Sequence, residues 1–100
     1  MILLKMKTYL LKIYGRVQGV GFRPFIYRLA KELNLKGYVL NSSSCVEIAL
    51  QGKENSLDNF IERMRNEAPP LSKIEKIENN ILDLEDFKDF TIYESKKDEG

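Results

Sequence analysis

A chain of 100 residues with net charge +1, no histidine and one cysteine excludes several classes of function at once. This length makes one domain and buries enough surface for a core without metal or disulfide staples. Acids and bases are interspersed, which argues against nucleic acid or an anionic membrane surface as the main partner. The missing histidine removes His-based acid–base catalysis, Ser-His and Cys-His nucleophiles and the usual zinc sites. Cys45 has no second cysteine to pair with, so the expected compartment is a reducing cytoplasm.

Residues 2–4 are apolar, a run far too short for a signal-peptide core or a membrane span. The first six residues and the polar tail, 95–100, are expected to fray. Residues 7–14 predict a strand, with Tyr9, Leu11 and Ile13 on one face and Lys12 on the other. A glycine-rich turn follows. Residues 22–34 then predict a helix, since Phe22, Phe25, Ile26, Leu29, Ala30 and Leu33 recur at spacings of three and four. Pro24 is tolerated in its first turn. Asn34 and Gly37 are stop signals. Residues 38–41 predict a short strand, Ser42-Ser43-Ser44 a turn, and 46–51 the second arm of a hairpin. Residues 54–67 predict a second amphipathic helix, with Leu57, Phe60, Ile61 and Met64 inward. Ala68-Pro69-Pro70 ends it, because the residue before a proline avoids the helical region. Residues 74–81 predict a strand and 83–86 a loop. A last strand runs from 87 or 88 to 94, with Phe90 and Ile92 inward. The expected fold is α+β, a ferredoxin-like βαββαβ sandwich: one antiparallel sheet with two helices on one face.

The turn after the first strand carries the chemistry. It reads Y-G-R-V-Q-G-V-G-F-R-P from Tyr14 to Pro24, with glycines at 15, 19 and 21. Such a turn lets the backbone approach a ligand, and its N–H groups converge where a helix begins. Arg23 adds a planar fork of donors suited to phosphate oxygens. These residues read as an anion-binding loop, most simply for phosphate. No Lys-Ser/Thr follows the last glycine, so this is not a Walker A loop. Pro24 stands where the dinucleotide fingerprint needs its third glycine.

The string G-R-V-Q-G-V-G-F-R resembles the signature of the acylphosphatase family, with Gly15, Val17, Gln18, Gly19, Val20, Phe22 and Arg23 at its fixed positions. Gly37-Tyr38-Val39-Leu40-Asn41 is similar to the family segment that presents a catalytic asparagine. The resemblance implies the ferredoxin-like fold and hydrolysis of acyl phosphates. It implies Arg23 and Asn41 as catalytic residues, Arg23 holding the phosphate and Asn41 orienting the attacking water. The main-chain N–H groups of Val17, Gln18, Gly19, Val20, Gly21, Phe22 and Arg23 would bind the other phosphate oxygens. No metal or other cofactor is implied. A bound phosphate oxygen would accept the proton from water, so histidine is not required. The family often has glycine near the end of the hairpin turn, where this chain has Ser43, Ser44 and Cys45.

Plainer readings stand beside these. Asn41 also fits an ordinary turn former, Gln18 a structural loop residue, and Arg23 a solvated helix residue. Cys45 lacks a base to make it a nucleophile. RNA-recognition domains share the element order, but strand 46–51 carries no aromatic residue for stacking. Ferredoxin-like metal carriers need paired cysteines.

Arg23-Pro24-Phe25 and the run from Ala68 to Ile74 are similar to the N-terminal domain of nickel–iron hydrogenase maturation carbamoyltransferases. That likeness implies carbamoyl phosphate as a substrate and further domains of a larger maturation protein as partners. The chain is then either an independent small enzyme or one domain of such a protein. A non-catalytic phosphate-binding module is the alternative reading.

Overall fold

In the computed structural model, residues 6–83 and 85–94 are described. The elements are β1 (Met6–Arg16), α1 (Phe22–Glu32), β2 (Lys36–Asn41), β3 (Val46–Lys53), α2 (Glu54–Glu67), β4 (Lys73–Leu82) and β5 (Phe90–Ile92). The expectation of fraying at 95–100 and over the first five residues lies outside the described residues. Met6, also expected to fray, pairs with Lys53.

The strands form one five-stranded sheet in the order β4-β1-β3-β2-β5. Alternation explains its two faces. Tyr9, Leu11 and Ile13 of β1 and Val46, Ile48 and Leu50 of β3 are buried on one face. They form one core with Phe22, Phe25, Ile26 and Leu29 of α1 and Leu57, Phe60 and Met64 of α2. Each such side chain stabilises the fold by about 1.5–3 kcal/mol through loss of exposed apolar area. Leu33 and Ile61, expected inward, are only partly buried at the rim. The first six elements, β1 to β4, make the expected ferredoxin-like βαββαβ sandwich, and β5 is a seventh element, a fifth strand added at the β2 edge.

One feature of the sheet corrects the sequence reading. β1–β3, β1–β4 and β2–β3 are antiparallel, but β2 and β5 run parallel, so the sheet is mixed. After β4, at one edge, the chain returns to the other edge and enters β5 alongside β2. Phe87 packs edge-on against Tyr38, which faces away from the helices and marks the side of this return. Gly37 N donates to Asp89 O at 3.0 Å and Tyr93 N to Val39 O at 2.9 Å, bracketing the parallel pair. β5 has three residues rather than the seven or eight expected. Phe90 is buried against Tyr27, whereas Ile92, expected inward, is 40% exposed at the sheet edge beyond that cover.

α1 ends at Glu32, two residues before the expected Asn34, in a Schellman motif. Leu35 N donates to Ala30 O at 2.9 Å and Asn34 N to Lys31 O at 3.2 Å. Asn34 supplies the left-handed residue, with φ 58°.

Candidate active site

Parallel β2 and β5 end at the same end of the sheet, where α1 begins. The glycine-rich loop lies at this corner. A register shift between Tyr14 and Gly15 bends the end of β1, where Gly15 and Arg16 still pair with β4 after the pairing with β3 has ended at Ile13. Gly15 is required by close approach: a Cβ there would sit 2.1 Å from Lys73 O. Val17 and Phe22, each 1% exposed, pin the two ends of the loop into the core. Between them Gly19 and Gly21 take φ of 74° and 81°, a region costly for residues with a Cβ. A Cβ at either would meet nothing within 4 Å, so the loop's outer side is open.

The loop amides are free of the chain's own acceptors. Among the described residues, no main-chain N–H from residues 18–23 donates to a backbone carbonyl or side chain. α1 starts from Gly21 without a side-chain cap and without an acid in its first turn. A helix start left this way carries partial positive charge that an anion satisfies. Pro24, with no N–H, narrows the usable donors of the first turn to Phe22 and Arg23.

Arg23 is the second residue of α1 and is partly buried. Its Nη1 donates to Tyr93 O at 3.0 Å, just past β5. Asn41 closes β2 and is 8% exposed, on the helix-bearing face with Val39. It pairs with Val46 across the hairpin. Gln18 Nε2 donates to Ser42 O at 2.7 Å and Cys45 O at 3.1 Å, so the loop and the Asn41 hairpin are in direct contact. The Tyr93 contact has no local signal in the residues, because it depends on β5 lying parallel to β2. The Gln18 clamp was legible only as a structural role for that residue.

The hairpin turn has no positive φ at Ser43 or Ser44; among the described non-glycine residues only Asn34 has one. The chain therefore bends without the glycine that the family often places there. Cys45 is buried, and desolvation pushes its thiol up from its ordinary value, which disfavours the nucleophilic thiolate. Among the described residues, no group of three or more acids or cysteines is placed to hold a metal ion. No helix among them is long and apolar enough to cross a membrane. A cleft of about 330 Å³ opens where α2 gives way to β4, lined by Arg65, Asn66, Pro69, Pro70 and Ser72. It lies at a helix C-terminus, whose carbonyl dipole disfavours an anion.

The whole chain is similar to known proteins. The acylphosphatase family model matches residues 9–92. The chain is 51% identical over 98 residues to a probable carbamoyltransferase HypF of Methanocaldococcus jannaschii, covering 95% of this chain and 13% of that protein. It is 40% identical over 85 residues to an acylphosphatase of Archaeoglobus fulgidus, covering 82% of this chain and 94% of that protein. A full-length HypF crystal structure in the phosphate- and nucleotide-bound form superposes with a TM-score of 0.92 at 38% identity, covering 99% of this chain and 13% of that one. The acylphosphatase of Bacillus subtilis superposes with a TM-score of 0.83 at 37% identity, covering 89% of this chain and 99% of that one. The chain thus spans about an eighth of the HypF proteins it matches and nearly all of the small acylphosphatases. By sequence, by fold and by the loop that opens its first helix, the chain belongs to the acylphosphatase family.

Proposed function

We propose that this chain hydrolyses the carboxyl–phosphate bond of acyl phosphates, using residues 17–23 to hold the phosphate and Asn41 to orient water. The observation that carries the reading is the uncapped start of α1, with the loop amides unpaired and Arg23 beside them. Converging donors stabilise the charge that spreads over the phosphoryl oxygens during transfer. Arg23 contributes a full positive charge and several N–H groups, of which Tyr93 O takes one. Asn41 has one acceptor and two donors, enough to hold a water without removing its proton. The water oxygen forms the new bond to phosphorus, and the bond from phosphorus to the acyl oxygen breaks. The carboxylate leaves with the electron pair, and a phosphoryl oxygen takes the proton from water. No histidine, metal or protein nucleophile enters the cycle.

A second reading rests on the HypF likeness: the chain acts within a larger maturation protein, on carbamoyl phosphate, releasing carbamate and phosphate. Its other partners would be the further domains of that protein. The single cysteine fits a cytoplasmic setting for either reading.

Turnover of benzoyl phosphate and carbamoyl phosphate by the wild type, Arg23→Ala and Asn41→Ala tests the proposal. Turnover that both substitutions nearly abolish is expected. Saturable phosphate binding without turnover of either compound would overturn it in favour of a binding module.

A further inference from the structure

We propose that the Gln18 side chain is a positioning residue that couples the phosphate-holding loop to the hairpin carrying Asn41. The function of this coupling rests on the hydrolase reading above, and its existence rests on geometry. Ser42 O and Cys45 O, the two acceptors of Gln18 Nε2, flank the bend that follows the Asn41–Val46 pair.

The turn needs an outside donor. The β2–β3 connection is the four residues Ser42 to Cys45, none of which takes a positive φ. Ser42 N donates to Cys45 O at 2.8 Å, but among the described residues Cys45 N does not return a bond to Ser42 O. Gln18 supplies the donor that Ser42 O would otherwise lack. Its two amide hydrogens suit two carbonyls, and the carboxamide spans the gap from loop to turn. One residue thus belongs to both halves of the site. Its main-chain N–H lies in the loop, and its side chain fixes the strand end that presents Asn41.

The consequence is kinetic. A water held by Asn41 must meet phosphorus in line, and a shift of about 1 Å costs up to about a hundredfold in rate. Phosphate affinity depends instead on the loop amides and Arg23, which a change in the Gln18 side chain leaves in place. Loss of the clamp therefore lowers kcat without weakening phosphate binding in proportion.

The experiment is a cycle of Gln18→Ala, Asn41→Ala and the double variant, read by benzoyl phosphate turnover and by inhibition with inorganic phosphate. Gln18→Ala is expected to lower kcat by about tenfold or more while the phosphate inhibition constant moves less than about twofold. In the Asn41→Ala background the same change is expected to lower the residual kcat less than about twofold, because the residue it acts through is gone. Gln18→Met keeps the length without a donor and should behave as the alanine variant does. A kcat for Gln18→Ala close to wild type, or equal fold losses in both backgrounds, would overturn the proposal. If the wild type does not turn over, the hydrolase reading fails, and the clamp is then judged on the Asn41 side-chain amide resonance. A phosphate-induced shift present in the wild type and lost in Gln18→Ala, with amides 19–23 responding in both, supports coupling. Equal responses of Asn41 in both proteins overturn it.

Discussion

Arg23 and Tyr93, 70 residues apart in the chain, are joined by a 3.0 Å hydrogen bond from the Arg23 Nη1 to the Tyr93 carbonyl oxygen. The bond holds the guanidinium at the corner where α1 begins and the β2 and β5 strands end. It is exposed to solvent, so it orients Arg23 without adding much stability. Arg23→Ala is therefore expected to cut kcat/KM by about a hundred- to a thousandfold. It should change unfolding free energy by less than about 1 kcal/mol. Arg23→Lys keeps the charge but loses the planar fork, and should recover only part of the rate. Benzoyl phosphate turnover beside urea unfolding checks both halves.

Glu47 is the carboxylate nearest to Asn41 in the hairpin register, but it stands on the opposite face. Leu40 pairs with Glu47 and Asn41 with Val46, so successive residues alternate between faces. Glu47 accepts a 2.7 Å hydrogen bond from Tyr38, whose phenol is pushed well above its ordinary value, chiefly by burial and next by Glu47. Glu47→Gln is expected to leave kcat within about twofold of wild type. A loss of tenfold or more would mean that a protein carboxylate takes the proton from water.

Much of this was readable in the residues because each local signal agreed with the global fold. The apolar stripe of α1, the alternation of β1 and β3 and the glycine punctuation of the loop all point the same way. Where the sequence reading failed, the cause was long-range. The parallel seat of β5 comes from a chain return whose direction no local pattern encodes. The exposure of Ile92 follows from that seat, since alternation alone puts it with Phe90. The loop was legible as a motif, and Asn41 as a resemblance. The bonds from Gln18 to Ser42 and Cys45 and from Arg23 to Tyr93 required three-dimensional placement.

The glycines of the first turn separate stability from activity. Gly15→Ala drives a Cβ to 2.1 Å from Lys73 O. It should cost about 2–4 kcal/mol of stability by strain and overpacking. Gly19→Ala meets no neighbouring atom but keeps φ of 74°. It should cost only about 1 kcal/mol, while its methyl group on the open side of the loop reduces turnover strongly. Urea midpoints and kcat/KM for the two variants check the contrast.

Acid should unfold the protein through its paired carboxylates. Lys31 holds the Asp89 carboxyl below its ordinary value of 3.8, with help from Phe90 N, which donates to Asp89 Oδ1 at 2.8 Å. Lys76, and next Tyr14, do the same for Glu78 against an ordinary value of 4.5. A carboxyl depressed by folding stabilises the native state above its unfolded value, and that stability is lost as pH falls through the folded value. Urea midpoints are therefore expected to stay level from about pH 5 to 8, where the chain has no histidine to titrate, and to fall below about pH 4. Asp89→Asn and Glu78→Gln should each flatten that fall, and modestly, because Asp89 is exposed and Glu78 only partly buried.

The central claim is that phosphate is held by the main-chain amides that lead into α1, together with Arg23. Titration of the ¹⁵N-labelled protein with inorganic phosphate tests it most directly. Saturable shifts concentrated at the amides of residues 18–23 and at the Arg23 guanidinium are the expected result. No saturable response, or one centred on the cleft lined by Arg65, Pro70 and Ser72, would contradict the account.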